Sequence, residues 1–537
     1  MPLGLSRCPA SRIPAGRGRR RTAGNRESRF ESRVANAEVD TPSAPSSYGC
    51  PVKANPPHDS PTPDGAGRAA SAGKPTSRLW RRSGFAFAVL YAIVALALLN
   101  PTLHGRDGFC NYAPLRSLLF DGDLDYRNDY ALFDRATGGA FAFGSIPIEA
   151  ATGRPGNRYG VGSAALWAPF VLAPRLLGAM AGREETGLEP RYVWAVGLGS
   201  AFWAGLGLWL MFCFCRTHWG SGAGWIAAAA ALGLSPLAFY AFFHTSMSHA
   251  AAFFATTAFL AAWDSARRLG GLARYARAGA MAALSAAVRI QDASVVIAVF
   301  ALELALLARE TRLGGAGNVR PRWIALGLGV LCGLAVFAPQ MVVWRVLYGS
   351  VFAGPAPYLR QYPQFHLLWP VHAIEVLFSS NHGLFFWHPF LAVGLAGLFF
   401  AGRLRRTTAA GLALAFLATW HLTACWQVWF AGASFGNRLY LSILLVFASG
   451  WGALWARFGA RRARALLWAA LALGSVWNAG LAVQYGTGMV PRQGEIGFCT
   501  LARNQFSQVP GALIRKLGQS VRRDPAVLRE ELSVEQL

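Results

Sequence analysis

Acidic residues are scarce in this chain, 26 Asp and Glu among 537 residues. Six of them are aspartates between Asp107 and Asp134. The first stands in Gly105-Arg106-Asp107-Gly108-Phe109-Cys110-Asn111-Tyr112, directly after an apolar run at 84–100. A carboxylate held at a membrane surface can take the proton of an attacking hydroxyl, so Asp107 is the candidate general base. The plainer reading is a solvated loop whose aspartates cap helices and make turns, which Asp121-Gly122-Asp123 fits. An Asp-x-Asp-x-Asp run also suggests calcium, but the remaining ligands of an EF-hand loop do not follow. Arg289, in Val288-Arg289-Ile290-Gln291-Asp292, lies about 11 residues after a basic loop, too few for a full crossing. An arginine at such a break in lipid marks a site, unless Asp292 neutralises it in a structural ion pair. Arg438 either clamps a phosphate or reaches for the interface. His249 reads as a hydrogen-bond partner for a phosphate or an acceptor, and metal ligation by His244 and His249 is the weaker reading. Trp426, Trp429, Phe430 and Tyr440 either stack on a sugar or prenyl chain or form an interfacial belt.

The elements that must hold these groups follow from composition. Apolar residues make up 54% and charged residues 14%, against about 25% charged in soluble proteins. Apolar segments run at about 84–100, 161–181, 193–215, 225–243, 250–263, 278–288, 293–308, 323–343, 383–400, 408–424, 438–455 and 465–485. The chain therefore reads as an all-α polytopic membrane protein, which excludes a soluble enzyme, a disordered chain and a disulfide-stapled domain. Eight cysteines show no metal spacing, although one bridge among Cys110, Cys425 and Cys499 is open. The net charge of +25 is concentrated. Residues 1–83 carry 15 basic and 6 acidic side chains and read as a disordered, positive-inside tail rather than a nucleic-acid arm.

Four short basic loops share one face: Arg267, Arg268, Arg274 and Arg277; Arg309, Arg312, Arg320 and Arg322; Arg403, Arg405 and Arg406; Arg457, Arg461, Arg462 and Arg464. Five segments separate the tail from the first loop, an odd number. The segment 161–181, interrupted by Pro169 and Pro174, is therefore read as the one that does not cross. Eleven crossings result, with the N-terminus cytoplasmic. Asp107, His249, Arg289, His382 and Arg438 then all fall on the opposite face. The domains are the tail 1–83, a transmembrane domain 84–485 with a large first outer loop 101–160, and an outer segment 486–537. Within the last, Leu513 to Arg523 forms a basic amphipathic stretch suited to a membrane surface.

At this point the chain resembles the GT-C superfamily of membrane glycosyltransferases, such as protein O-mannosyltransferases and the lipid A aminoarabinose transferase. The resemblance spans roughly 84–450 in loosely spaced blocks. Asp107 and Tyr112 match the Asp and following aromatic of the first outer loop. Asn157-Arg158-Tyr159-Gly160-Val161-Gly162 and Ser235-Pro236 with His244 to Ala250 match the next two blocks. Further matches are Val288 to Asp292, Phe378 to Phe385 around His382, and Trp429 to Arg438. His249 stands where an acid is expected, which speaks against a metal-dependent mechanism. The resemblance implies a GT-C-like bundle of about 11–12 transmembrane helices and transfer of a sugar from a polyprenyl-phosphate donor to an acceptor outside the membrane. It implies Asp107 as base, Arg289, Arg438 and Arg158 on the donor phosphate, and Tyr112, His249, His382 and Trp429 on substrate. No cofactor is expected, with a divalent cation left open. Partners are the lipid-linked donor, membrane lipids and a glycan, lipid or protein acceptor, with no nucleic acid. The location is the plasma (inner) membrane. The rival reading is a transporter or flippase for an envelope precursor, since transporters place substrate at broken helices. No second half repeats the 84–260 pattern, which argues against it. A third reading is a non-catalytic envelope assembly protein.

Overall fold

The computed structural model describes residues 77–314, 316–354, 356–361, 364–402 and 404–522. Most of the expected basic tail, Arg403 of the third loop and Arg523 of the amphipathic stretch lie outside the described residues. Among the described residues the chain is built of helices, with a single isolated bridge between Ile148 and Pro155.

The helices that carry the argument are α1 (Ser77–Leu98), α2 (Gly105–Arg116), α3 (Arg127–Ala136), α4 (Gly162–Met180), α5 (Pro190–Trp219), α6 (Ser221–Gly233), α7 (Leu237–Phe242), α8 (His249–Leu269) and α9 (Leu272–Val288). They continue with α10 (Ala293–Gly314), α11 (Ala316–Tyr348), α12 (Pro389–Gly397), α13 (Arg406–Ala424), α14 (Leu444–Arg457), α15 (Arg461–Gly486) and α16 (Val509–Arg522). Six described helical stretches are long and apolar enough to cross a membrane, so the chain is an integral, multi-pass membrane protein. Side chains such as Leu198, Ile297, Leu331 and Val476 stand exposed on these helices, where lipid is their solvent.

Helix α8 begins at His249 and runs 21 residues, about 30 Å at 1.5 Å per residue. It thus separates two differently charged ends. At its far end Asp264 takes His218, Arg268 and Thr408 as partners. Nearby, Glu303 accepts from Trp263, Arg267 and Tyr275. Several arginines of the basic loops are therefore spent on holding helix ends together. At the near end lie Asp107 and the other groups of interest.

Three expectations change here. Helix α4 runs unbroken through Pro169 and Pro174 for 19 residues, because bilayer-type helices tolerate the lost hydrogen bonds. It packs along the first half of α5: Trp203 donates to the Leu166 carbonyl and Trp167 to Ser200, while Gly178 lies against Glu185. Helix α9 starts at Leu272, inside the basic loop, and spans 17 residues. It is therefore longer than the apolar count of 278–288 suggested, and Arg289 sits at its end rather than part-way through. The first outer loop is not a solvated loop. Phe109, Tyr126, Tyr130, Phe133 and Phe141 form a buried aromatic core with Trp167, Tyr192 and Leu347. The cysteines Cys110, Cys425 and Cys499 are unbridged.

Candidate active site

Five aspartates of the outer loop serve its fold. Arg116 binds Asp121 at 2.5 Å and Asp129 at 2.6 Å. Asp123 accepts from Ser117 and the Asp125 amide, Asp125 from the Arg127 amide, and Asp134 from the Phe143 amide. Asp107 differs: it stands in the first turn of α2 and lines a cavity of 330 Å³.

Close approaches at two glycines, one to the Ser246 side chain and one to backbone, fix where that first turn sits. A Cβ on Gly108 would lie 2.2 Å from Ser246 Oγ, and one on Gly160 would lie 2.0 Å from the Ala287 carbonyl oxygen. Only glycine permits these approaches. They lock α2 against the segment before α8, and the Asn157–Gly162 block against the end of α9. Gln340 of α11, buried, accepts from the Val161 amide at 2.9 Å, and Asn157 donates to the Cys110 carbonyl at 2.9 Å.

Four charged or polar groups converge as a result. Arg438 Nη2 donates to Asp107 Oδ2 at 2.8 Å. The Tyr159 hydroxyl donates to Asp107 Oδ1, and Arg158 Nη2 lies 4.0 Å from the same oxygen. Burial works to raise the pKa of Asp107, but Arg438 foremost, then Tyr159 and Arg158, outweigh it and hold the carboxylate below its usual range. Asn111 Nδ2 donates to the Asp107 carbonyl at 2.7 Å and steadies the turn.

On the far side of the cavity the chain breaks between α9 and α10, where Arg289 adopts an extended conformation. Arg289 Nη1 meets His249 Nδ1 at 3.1 Å, so that nitrogen accepts and the guanidinium stays charged. Asp292 accepts from Ser442 Oγ at 2.8 Å. The alternative reading, a structural ion pair between Arg289 and Asp292, is not the arrangement found: each side chain takes a separate hydrogen-bond partner.

The cavity therefore gathers Asp107, Arg158, Arg289, Arg438 and His249, named from sequence, with Tyr159 and Trp426. Three expected substrate contacts are placed elsewhere. Tyr112 is fully buried in the outer-loop core and donates to the Gly187 carbonyl at 2.9 Å. His382 is fully buried at a left-handed turn and pairs with the Phe430 carbonyl at 2.9 Å. Trp429 packs against His372 and Phe430. Tyr159, which lines the cavity, and Gln340, which holds the Val161 amide behind it, did not stand out in the sequence. A lone glutamine in the apolar run 323–343 was the available signal for the second.

His104 and His244 stack with ring centroids 3.8 Å apart. Burial foremost, with Arg492 and Arg438 adding to it, lowers both, and His244 falls to about 2. Both shifts favour the neutral ring, and His104 also lines the polar cavity. Among the described residues no group of three His, Cys, Asp or Glu side chains converges to hold a metal ion.

A second hollow adjoins the first. This groove of 390 Å³ is lined by Ile297, Leu359, Phe365, Leu367 and Leu422, and shares Arg289, Ile290, Gln291, Trp426 and Leu439 with the polar cavity. An apolar trough thus leads to a guanidinium at its polar end, an arrangement suited to a lipid phosphate.

No family model matches the chain, and no curated protein matches it. Among solved structures it is similar to ArnT from Cupriavidus metallidurans, solved in the apo state and bound to undecaprenyl phosphate. In both cases identity is 15% over 82% of this chain and 77% of that one, with a TM-score of 0.42. It is also similar to the Archaeoglobus fulgidus oligosaccharyltransferase, solved with Zn and sulfate. There identity is 15% over 77% of this chain and 54% of that one, with a TM-score of 0.45.

Proposed function

We propose that the chain is a membrane glycosyltransferase that moves a sugar from a polyprenyl-phosphate donor to an acceptor hydroxyl at the non-cytoplasmic face. One observation carries this reading: an ionised Asp107, paired with Arg438, faces a cavity that shares Arg289 with an apolar groove. The prenyl chain occupies the groove, its phosphate lies between Arg289 and Arg438, and the sugar projects toward Asp107. The acceptor hydroxyl gives its proton to Asp107 as its oxygen bonds to the anomeric carbon. The carbon–oxygen bond to phosphate breaks, and the polyprenyl phosphate leaves with its charge held by the two guanidinium groups. The charge that develops on the departing phosphate is met by Arg289 and Arg438. Tyr159 fixes the carboxylate, and His249 fixes the Arg289 fork. The N-terminus is assigned to the cytoplasm, opposite the site, from the basic loops.

The purified full chain, incubated with a panel of polyprenyl-phosphate sugars, should release polyprenyl phosphate and free or transferred sugar. Undiminished release by Asp107→Asn would refute the assignment of the base.

A further inference from the structure

A third hollow, of 350 Å³, lies across the wall that carries Asp107. Arg106, Arg158 and Tyr159 line both it and the polar cavity, and its remaining walls include Ser145, Glu149, Tyr348 and Arg360. Its frame is built from fixed backbone. The turn 147–156 closes on itself through Glu149 N to the Arg154 carbonyl at 2.8 Å and Gly156 N to the Pro147 carbonyl at 3.0 Å. Thr152 Oγ1 and Arg154 Nη1 then clamp that turn to the Leu347 and Val346 carbonyls at the end of α11.

The charge of this hollow is one-sided. Three guanidinium groups line it, from α2, from the Asn157–Gly162 block and from the segment after α11, against the one carboxylate of Glu149, with Arg158 also 4.0 Å from Asp107 across the wall. Glu149 takes Arg360, at 2.8 Å. Arg106 donates to the neutral hydroxyl of Ser145 at 2.8 Å and keeps its charge in the hollow. The planar donor fork of arginine matches phosphate oxygens.

We infer that this hollow is the acceptor subsite and that it takes an acceptor bearing a phosphate group near the hydroxyl to be glycosylated. The phosphate lies between Arg106 and Arg360, and the hydroxyl passes the Arg158–Tyr159 wall to reach Asp107. The inference rests on the transferase reading for the role of Asp107, and the phosphate preference itself stands on the arginines. Two sources supply such chemistry, a phospholipid headgroup and a soluble phosphorylated sugar.

The test uses the full chain in detergent, first saturated with undecaprenyl phosphate to fill the donor side. Binding of glucose 6-phosphate is compared with that of glucose, and binding of phosphatidylglycerol with that of diacylglycerol, by native mass spectrometry. The expected result is at least a tenfold preference for the phosphorylated member in one arm, which identifies the source. Arg360→Gln and Arg106→Gln should each weaken that binding about tenfold, the loss of one charge-assisted hydrogen bond. Arg360, which lines neither the polar cavity nor the apolar groove although its neighbour Leu359 lines the latter, should leave undecaprenyl phosphate binding within twofold. Absence of a preference in both arms, or a preference untouched by both substitutions, overturns the inference. Failure of undecaprenyl phosphate to bind overturns the transferase reading instead, and a phosphate preference surviving that failure still supports the site.

Discussion

Replacing Asp107 by asparagine keeps the shape of the side chain and removes its charge, and the two measurable consequences should carry opposite signs. The substitution removes the proton acceptor. General-base catalysis is worth about 10²–10⁴ in rate, so turnover should fall by that factor, about 3–5 kcal/mol in the barrier. The same change frees Arg438 and relaxes the hold on Arg158, both of which the carboxylate engages at 2.8 and 4.0 Å. A hydrogen bond between charged groups is worth about 1.5–3 kcal/mol. The Asp107 side chain is 27% exposed and that of Arg438 13%, so solvent screens the pair and the lower figure applies. An incoming phosphate no longer competes with that carboxylate and should bind about tenfold more tightly. The assay pairs donor turnover with undecaprenyl phosphate titration on the same preparation. Weaker phosphate binding in the asparagine variant would refute the shared use of Arg438, and near-normal turnover would refute the base.

Tyr159→Phe removes a hydrogen bond that helps to hold the Asp107 carboxylate below its usual range. That pKa then rises, so the acid limb of the pH–rate profile should move to higher pH, with about a tenfold loss of rate. Arg116→Met leaves Asp121 and Asp129 facing each other without their cation. It should cost the outer loop about 3–5 kcal/mol, read as a lowered melting temperature, whereas Asp129→Asn should cost less. Ile297→Lys places a charge in the apolar groove. Binding of undecaprenyl phosphate should weaken about tenfold, while a short-chain isoprenyl phosphate should bind as before.

That Asp107, His249 and Arg438 gather at the helix end away from the basic loop of Arg267 and Arg268 was legible, because arginine counts in short loops follow a rule independent of tertiary packing. Asp107 was legible by its position at the end of an apolar run. Its three loop neighbours that accept backbone amides, Asp123, Asp125 and Asp134, and the two held by Arg116, Asp121 and Asp129, were not separable from it, because the same carboxylate makes a turn, pairs with a cation or faces a cavity depending on packing. Nor could any pattern pair Asp107 with Arg438, 331 positions away. Tyr112 follows the cavity-lining Asn111 yet turns into the core, since a helix presents adjacent positions to different sides, and His382 is buried at its tight turn. Tyr159 carries the opposite lesson. Its hydroxyl reaches the carboxylate only because Gly160 lets the chain lie against Ala287.

The close approaches at Gly108 and Gly160 also divide the outer loop mechanically. Between them the chain travels through α3 and the exposed turn at Gly138 and Gly139, both at positive φ with open space around them, and returns to the membrane side already anchored. Changes of length or composition at that outer turn therefore need not be transmitted to the carboxylate. A chain built this way can exchange the tip of its loop, and with it whatever that tip meets outside, while the reacting groups keep their places.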